Sequence, residues 1–81
     1  MWYVYIVLCA DQSLYTGITK DPTRRVKEHN TSAKGAKSLR FKRPVELVYS
    51  EIYQTHQEAA RREREIKTWK RSVKLQLITG A

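Results

Sequence analysis

One carboxylate in this sequence stands where a purely structural role does not easily account for it. After Thr55, the helical period places Ala59, Glu63 and Ile66 on one stripe, which should face the core. A carboxylate in such a place needs a cation, hydrogen bonds or a metal ion. A salt bridge to a nearby arginine is the commoner explanation. The alternative is a Mg²⁺ or Mn²⁺ ligand, since hard cations bind carboxylate oxygen.

A second pair of polar residues lies on the first predicted helix. Arg25 and His29 are four positions apart and therefore share a face, which borders the buried side marked by Val26. Arginine presents a fork of donors that suits a phosphate, and histidine can orient or shuttle a proton. The alternative is a surface arginine beside a boundary histidine with no chemical role.

The tyrosines form the third group. The chain has five, and Tyr3, Tyr5 and Tyr15 fall on the first two predicted strands, where tyrosine usually serves packing. However, Gly17 lies on the same short strand as Tyr15. Glycine weakens a strand unless another group must approach closely. The sequence therefore predicts a close approach at Gly17.

The length of the loop between these strands decides whether the tyrosines can act together. A two-residue turn would pair Tyr5 with Ile18 and place Tyr15 on the opposite face of the sheet. A three-residue loop at 10–12 would pair Tyr5 with Gly17 and unite the two phenols. A shared site therefore predicts a loop of odd length or an equivalent bulge.

Apolar patterning and capping residues predict the elements that position these groups. Strands are predicted at 2–9, 14–19 and 45–53, the first buried on both faces. Helices are predicted from an Asp21 cap to about 29–30, from a Thr55 capping box to about 67–69, and from Ser72 to Gly80 with Leu75 and Ile78 inward. We predict an α+β fold (α/β in the broad sense). It has a small three-stranded antiparallel sheet flanked by helices, in the order β-β-α-β-α-α.

Composition limits the classes of partner. A chain of 81 residues is expected to form one domain, residues 1–81, and its net charge of +8 favours DNA, RNA or an anionic surface. No apolar run approaches the roughly 20 residues of a membrane-spanning helix. The single Cys9 cannot form an internal disulfide, which fits a reducing cytoplasm, and it is expected to be a buried small hydrophobe.

Taken together and in order, these residues resemble the GIY-YIG nuclease superfamily, especially its small standalone bacterial members, which are similar to the N-terminal nuclease domain of the bacterial excinuclease. Residues 3–5 match the first tyrosine motif and residues 15–17 the second. Arg25 and His29 match an R-x-x-x-H pattern, and Glu63 matches the metal-binding glutamate. The first motif lacks its glycine, and the second has threonine in place of isoleucine.

The resemblance implies a metal-dependent DNA endonuclease that hydrolyses phosphodiester bonds in DNA repair or recombination. It implies that Glu63 holds Mg²⁺ or Mn²⁺, that Tyr15 is the general base and that Tyr5 supports it. Arg25 would neutralise charge on the phosphoryl oxygens, while His29 would assist the phenols by hydrogen bonding.

Basic residues outside the catalytic set are expected to hold the DNA backbone without reading sequence. The expected contacts are Lys20, Arg24, Lys34, Lys37, Arg40, Lys42, Arg43 and Lys67. A partner protein could supply specificity. Two alternatives stay open: a non-catalytic basic nucleic-acid-binding module, and a basic interaction module bound to an acidic protein or ribosomal RNA. Metal-dependent nicking of supercoiled plasmid separates the three.

Overall fold

The computed structural model describes residues 1–31, 39 and 41–80. The strands are β1 Trp2–Leu8, β2 Leu14–Thr19 and β3 Glu46–Tyr53, and the helices are α1 Pro22–Thr31, α2 His56–Lys67 and α3 Arg71–Thr79. This is the predicted α+β fold and element order, with boundaries shifted by one or two residues. Within the described residues, no helix is long and apolar enough to cross a membrane.

The sheet is antiparallel with β1 in the centre, in the order β2-β1-β3. The near-continuous apolar sequence of β1 follows from this position, because both of its faces are covered. Tyr5 and Val7 point to one side and Val4 and Ile6 to the other, and each is no more than 1% exposed. The prediction of a strand buried on both faces is confirmed.

The connection between β1 and β2 has the predicted register. Tyr5 pairs with Gly17, and Tyr15 lies two pairs further along on the same face. The Gln12 N–H donates to the Cys9 carbonyl oxygen at 2.9 Å, and Gln12 itself has a positive φ of 71°. A three-residue hairpin loop commonly ends in a left-handed residue of this kind. The odd loop length therefore places both phenols on one side of the sheet.

Helices cover the two faces unequally, and we name each face after its helix. On the α1 face, Val26 of α1 packs on a core of Tyr5, Val7, Cys9, Leu39 and Val45. On the α2 face, Ala59 and Ile66 of α2 pack on Val4 and Ile6. A β-bulge in β3 at Val48 turns Leu47 to the α1 face and leaves Tyr49 on the α2 face.

The first two predicted helix starts are confirmed by their caps. The Arg24 N–H donates to the Asp21 carboxylate at 3.1 Å, and Pro22 occupies the first helical position. Thr55 and Glu58 form both bonds of the capping box, each at 3.2 Å.

The start of α3 differs from the prediction. The helix begins one residue before Ser72, and its N-cap position makes no side-chain cap bond. Leu75 is 38% exposed, whereas Leu77 and Ile78 pack on the α2-face core. At 100° per residue, Leu75 and Leu77 lie on nearly opposite sides, so α3 cannot bury both. Gly80 ends the helix in the left-handed conformation, as predicted.

Candidate active site

A buried polar pair lies at the centre of the α1 face. Tyr5, from the middle of β1, is 1% exposed, and its hydroxyl is hydrogen-bonded to His29 Nε2 at 2.8 Å. His29 comes from the last turns of α1 and is also 1% exposed. This is deeper than the boundary position predicted for it. The packing of α1 on β1 and β3 carries the imidazole over the sheet, where Tyr5 satisfies one of its nitrogens.

The absence of a side chain at Gly17 makes room for the Tyr5 ring. A Cβ at this position would lie 2.6 Å from the Tyr5 hydroxyl oxygen and 2.8 and 2.9 Å from two ring carbons. Such contacts are far inside van der Waals range, and the buried ring has little room to move. The predicted close approach at Gly17 is confirmed.

Tyr15 completes a cluster of three rings. Its centroid is 6.4 Å from that of Tyr5 and 5.6 Å, edge to face, from that of His29. Unlike Tyr5, Tyr15 is only partly buried, so its ring borders solvent. Of the two phenols, Tyr15 is therefore the one that an incoming substrate or water can meet.

Arg25 brings positive charge to this cluster, one turn before His29. Its Nη1 donates to Glu28 Oε1 at 3.1 Å, and Arg24 pairs with the other oxygen of the same carboxylate at 3.6 Å. One carboxylate thus serves two guanidinium groups, which leaves a net positive charge. We call Tyr5, Tyr15, Arg25 and His29 the tyrosine site.

Burial and charge keep the central pair neutral. Burial, and after it Tyr15, raises the pKa of Tyr5 to about 12, although Arg25 opposes the shift. Burial also lowers the pKa of His29 below its ordinary value, and Arg25 lowers it further. At neutral pH, Tyr5 therefore keeps its proton and His29 is an uncharged imidazole with one accepting nitrogen.

Glu63 approaches from the other side of the sheet. It lies on α2 between the fully buried Ala59 and Ile66, and its own side chain is 20% exposed. The alternative of a salt bridge holds with a lysine in place of an arginine: the carboxylate pairs with Lys67, one turn further along, at 3.4 Å. The Glu63 charge nevertheless contributes to raising the pKa of Tyr5, and the helix that carries Glu63 packs against β2 as well as β1.

The surroundings of Glu63 bear on the predicted metal. Among the described residues, no group of three or more His, Cys, Asp or Glu side chains could hold an ion. Mg²⁺ keeps several waters and commonly binds through one or two carboxylates together with substrate phosphates. A single glutamate such as Glu63 therefore fits such an ion when water and a substrate phosphate complete its shell.

Only some of the basic residues expected to contact DNA are among the described residues. Three of the expected phosphate contacts lie outside the described residues: Lys34, Lys37 and Arg40. Lys42 pairs with Asp11 at 3.7 Å and donates to the Ser13 hydroxyl at 3.3 Å, which ties it to the β1–β2 loop. The charge of Arg43 contributes to lowering the pKa of His29, so this residue lies close to the tyrosine site.

The other expected contacts lie further round the surface. Lys20 is placed 5.1 Å from the centroid of the Trp2 ring, and the Arg24 side chain is 72% exposed beside Glu28. Lys67 is 51% exposed and pairs with Glu63. Exposed pairs of this kind contribute little to stability, so phosphate can replace the internal partner.

Sequence reasoning missed a second polar network, on the α2 face. Glu51 accepts hydrogen bonds from the hydroxyls of Tyr49 at 2.5 Å and Tyr53 at 2.7 Å, and from Arg62 Nε at 2.6 Å. Although burial opposes the shift, the bonds from Arg62 and the two phenols lower the pKa of Glu51. We call these four residues the glutamate brace. Their signal in the sequence is the spacing of Tyr49, Glu51 and Tyr53 at alternate positions of one strand.

Comparison with known proteins places these features in a family. The family model described as the GIY-YIG catalytic domain matches residues 1–76. A Staphylococcus aureus protein named UPF0213 is 55% identical over 76 residues, covering 94% of this chain and 92% of that protein. The solution structure of a UPF0213 protein from Bacillus halodurans aligns with a TM-score of 0.62 at 45% identity, covering 98% of this chain and 84% of the other. A protein from E. faecalis aligns at 0.63 and 40% identity, covering 96% and 82%.

Proposed function

The chain belongs to the GIY-YIG nuclease family, and from this premise we propose that it is a metal-dependent endonuclease that hydrolyses DNA phosphodiester bonds at the tyrosine site. The observation that carries the proposal is the buried hydrogen bond between Tyr5 and His29. The Tyr5 ring reaches this position only because Gly17 has no side chain. Burying polar groups costs free energy that an apolar pair would not, which favours a role beyond packing. A role in DNA repair or recombination is part of the proposal.

In this proposal, Arg25 would bind the phosphate. Its side chain is 29% exposed, and the carboxylate beside it is shared with Arg24, so it can offer donors to an incoming anion. A planar guanidinium matches two phosphoryl oxygens at once. Arg43, whose charge reaches His29, adds to the positive field over the site. Both arginines would stabilise the charge that builds on the phosphate during attack.

Activation of the attacking water falls to Tyr15. Its ring borders solvent beside the neutral pair, and it would accept the proton of the water as general base. Tyr5, with its pKa raised to about 12, keeps its own proton and stays a hydrogen-bond donor. The neutral His29 holds that hydroxyl in place through Nε2.

Glu63 would hold the divalent cation, with water and phosphate oxygen as the remaining ligands. When bound, Mg²⁺ or Mn²⁺ supplies Lewis-acid stabilisation of the phosphate and of the leaving oxygen. The ion pair with Lys67 does not prevent this role, because Lys67 is half exposed and can turn to solvent or to the DNA backbone.

The test is nicking of supercoiled plasmid by the parent and by Glu63→Gln, in Mg²⁺ and in EDTA. We expect the parent to nick only with metal and Glu63→Gln to lose at least about a hundredfold in rate. Its melting temperature should change little, because the pair with Lys67 is partly exposed and worth only about 0.2–1 kcal/mol. DNA binding should persist or tighten, since one repelling carboxylate is gone.

The matched control is Glu65→Gln, which removes the same charge from an ion pair with Arg62 on the same helix. It should nick like the parent. If Glu63→Gln also melts and nicks like the parent, Glu63 has no place in the site. A parent that binds DNA without nicking is a non-catalytic binder, and one that does not bind at moderate salt is an interaction module for another partner.

A further inference from the structure

The most exposed large apolar side chain among the described residues belongs to Phe41, which is 94% accessible. The next most exposed of these side chains is that of Met1, at 65%. Burying a phenylalanine side chain removes a large apolar surface from water and so stabilises a protein. Because Phe41 is almost wholly exposed, it adds little of this stabilisation to a small domain that could use it.

The backbone around Phe41 is held on both sides. Leu39 is 2% exposed and Val45 is 4% exposed. Between them, the Lys42 N–H donates to the Leu39 carbonyl oxygen at 3.0 Å, and the Lys42 carbonyl oxygen accepts from Ala10 N–H at 2.9 Å. The exposure of Phe41 thus follows from the path of an anchored turn.

A second clamp holds the end of this segment to α1. The Asn30 side chain donates to the Val45 carbonyl oxygen at 3.0 Å and accepts from the Val45 N–H at 2.7 Å. Asn30 directly follows His29 of the tyrosine site. The position of the turn is therefore coupled to the helix that carries the site.

The turn lies on the same face as the tyrosine site. Leu39 and Val45 belong to the core cluster that contains Tyr5. Arg43, two residues after Phe41, acts electrostatically on His29. Phe41 is followed directly by Lys42 and Arg43, so two cationic residues continue the chain from Phe41 toward the site.

We propose that Phe41 stacks on an unpaired base of the DNA next to the scissile phosphate, so that the substrate is DNA with locally opened bases rather than continuous duplex. This inference rests on the proposed nuclease function and names its substrate class. Every base offers a π-face to an aromatic ring, but in a continuous duplex both faces are covered by neighbouring base pairs. The adjacent cations hold the phosphates while the ring holds the base.

The test measures binding without divalent metal, so that cleavage does not interfere. Fluorescence anisotropy is recorded for a labelled duplex, for the same duplex with a short unpaired bubble, and for an RNA of the same bubble sequence. Parent, Phe41→Ala and Phe41→Trp are compared. Leu75→Ala, which removes an exposed apolar side chain on α3, is the control.

We expect Phe41→Ala to weaken bubble binding by roughly 5- to 150-fold, the equivalent of losing one stacked base. Duplex binding should stay within about twofold of the parent, because cations dominate it. Phe41→Trp should bind the bubble at least as tightly as the parent, and Leu75→Ala should match the parent throughout. The melting temperature of Phe41→Ala should change little, since a side chain that is 94% exposed gives up little burial when it is shortened.

Equal losses on bubble and duplex, or no loss on the bubble, would overturn the inference. So would a loss confined to RNA. Plasmid nicking by the same preparations keeps the two proposals apart. If the parent nicks and Phe41→Ala binds bubbles normally, the substrate inference fails alone. If Phe41 controls bubble binding but the parent never nicks, the nuclease proposal fails alone.

Discussion

The two faces of the sheet carry similar residues in opposite electrostatic arrangements. In the glutamate brace, Arg62 is shared by Glu51 and Glu65, one cation for two carboxylates. Beside the tyrosine site, the carboxylate of Glu28 is shared by Arg24 and Arg25, one anion for two cations. Among the described residues, the brace therefore has an excess of negative charge and the tyrosine site an excess of positive charge. A phosphate anion, as proposed for the substrate, suits the second arrangement and not the first.

The phenols show the same contrast. The pKa of Tyr5 and the pKa of Tyr53 are both raised to about 12, in each case chiefly by burial. The next cause differs: for Tyr53 it is the hydrogen bond to Glu51, and for Tyr5 it is the neighbouring phenol of Tyr15. Residue types alone therefore do not separate a structural network from a candidate site. The hydrogen-bond partner separates them: Tyr53 donates to the carboxylate of Glu51, whereas Tyr5 is bonded to the imidazole of His29.

The largest expected effect comes from removing one hydroxyl on each face. Tyr5→Phe deletes the bond to His29, and nicking should fall by about a hundredfold or more. Tyr49→Phe deletes one of three bonds to Glu51, and nicking should be unchanged. Rates are measured on supercoiled plasmid at a temperature where both variants are folded. Equal rates for the two variants would remove the distinction between the faces.

Replacing an arginine should affect stability on the α2 face and nicking on the α1 face. Arg62→Met leaves Glu51 without its cation, and the free energy of unfolding should fall by about 2 kcal/mol. In a domain of this size that is a fall of roughly 10 °C in melting temperature. Its nicking rate per folded molecule should be normal. Arg25→Met should melt close to the parent but lose nicking, and thermal melts with matched assays check both.

Acid should weaken the two faces at different pH. The folded-state pKa of His29 lies below its ordinary value of 6.5, because of burial and then Arg25. Below pH 6.5 the unfolded chain binds more protons at this residue, so stability falls as pH drops toward the folded pKa. The folded-state pKa of Glu51 lies below its ordinary value of 4.5, so its contribution is lost only as pH falls below 4.5.

Melting temperatures measured from neutral pH to about pH 3 test this order. His29→Gln should flatten the dependence just below pH 6.5, and Glu51→Gln should flatten it below pH 4.5 while leaving the upper range alone. A parent whose stability begins to fall only below pH 4.5 would show that His29 is protonated as easily in the folded state as in the unfolded one.

The smallest expected effect concerns the one buried side-chain polar atom without a hydrogen bond in the described part of the chain, the hydroxyl oxygen of Thr16. Thr16 pairs with Ile6 on the α2 face and is 4% exposed. Thr16→Val replaces the hydroxyl with a methyl group of similar size, so the free energy of unfolding should rise by about 1 kcal/mol. Chemical denaturation gives the value. A loss of stability would mean that water or another group satisfies the hydroxyl.

The sequence alone determined the features that depend on near neighbours. The cap at Asp21 and the capping box at Thr55 were predictable because their partners lie three residues away. The pairing of Tyr5 with Gly17 followed from loop length and strand alternation. The family resemblance predicted that the tyrosine-site residues and Glu63 belong to one site, because their motifs occur in the family's order along the chain. Each of these inferences uses spacing, which a one-dimensional sequence records directly.

Tertiary packing decided what spacing could not. It buried His29, which is 1% exposed, because α1 packs on both β1 and β3. It gave Glu63 a lysine partner and gave Glu51 two phenols and Arg62. The bulge at Val48, which turns Leu47 to the α1 face and leaves Tyr49 on the α2 face, depends on how β3 pairs with β1. Most of these contacts join groups from different elements, and they are fixed only when the helices pack on the sheet.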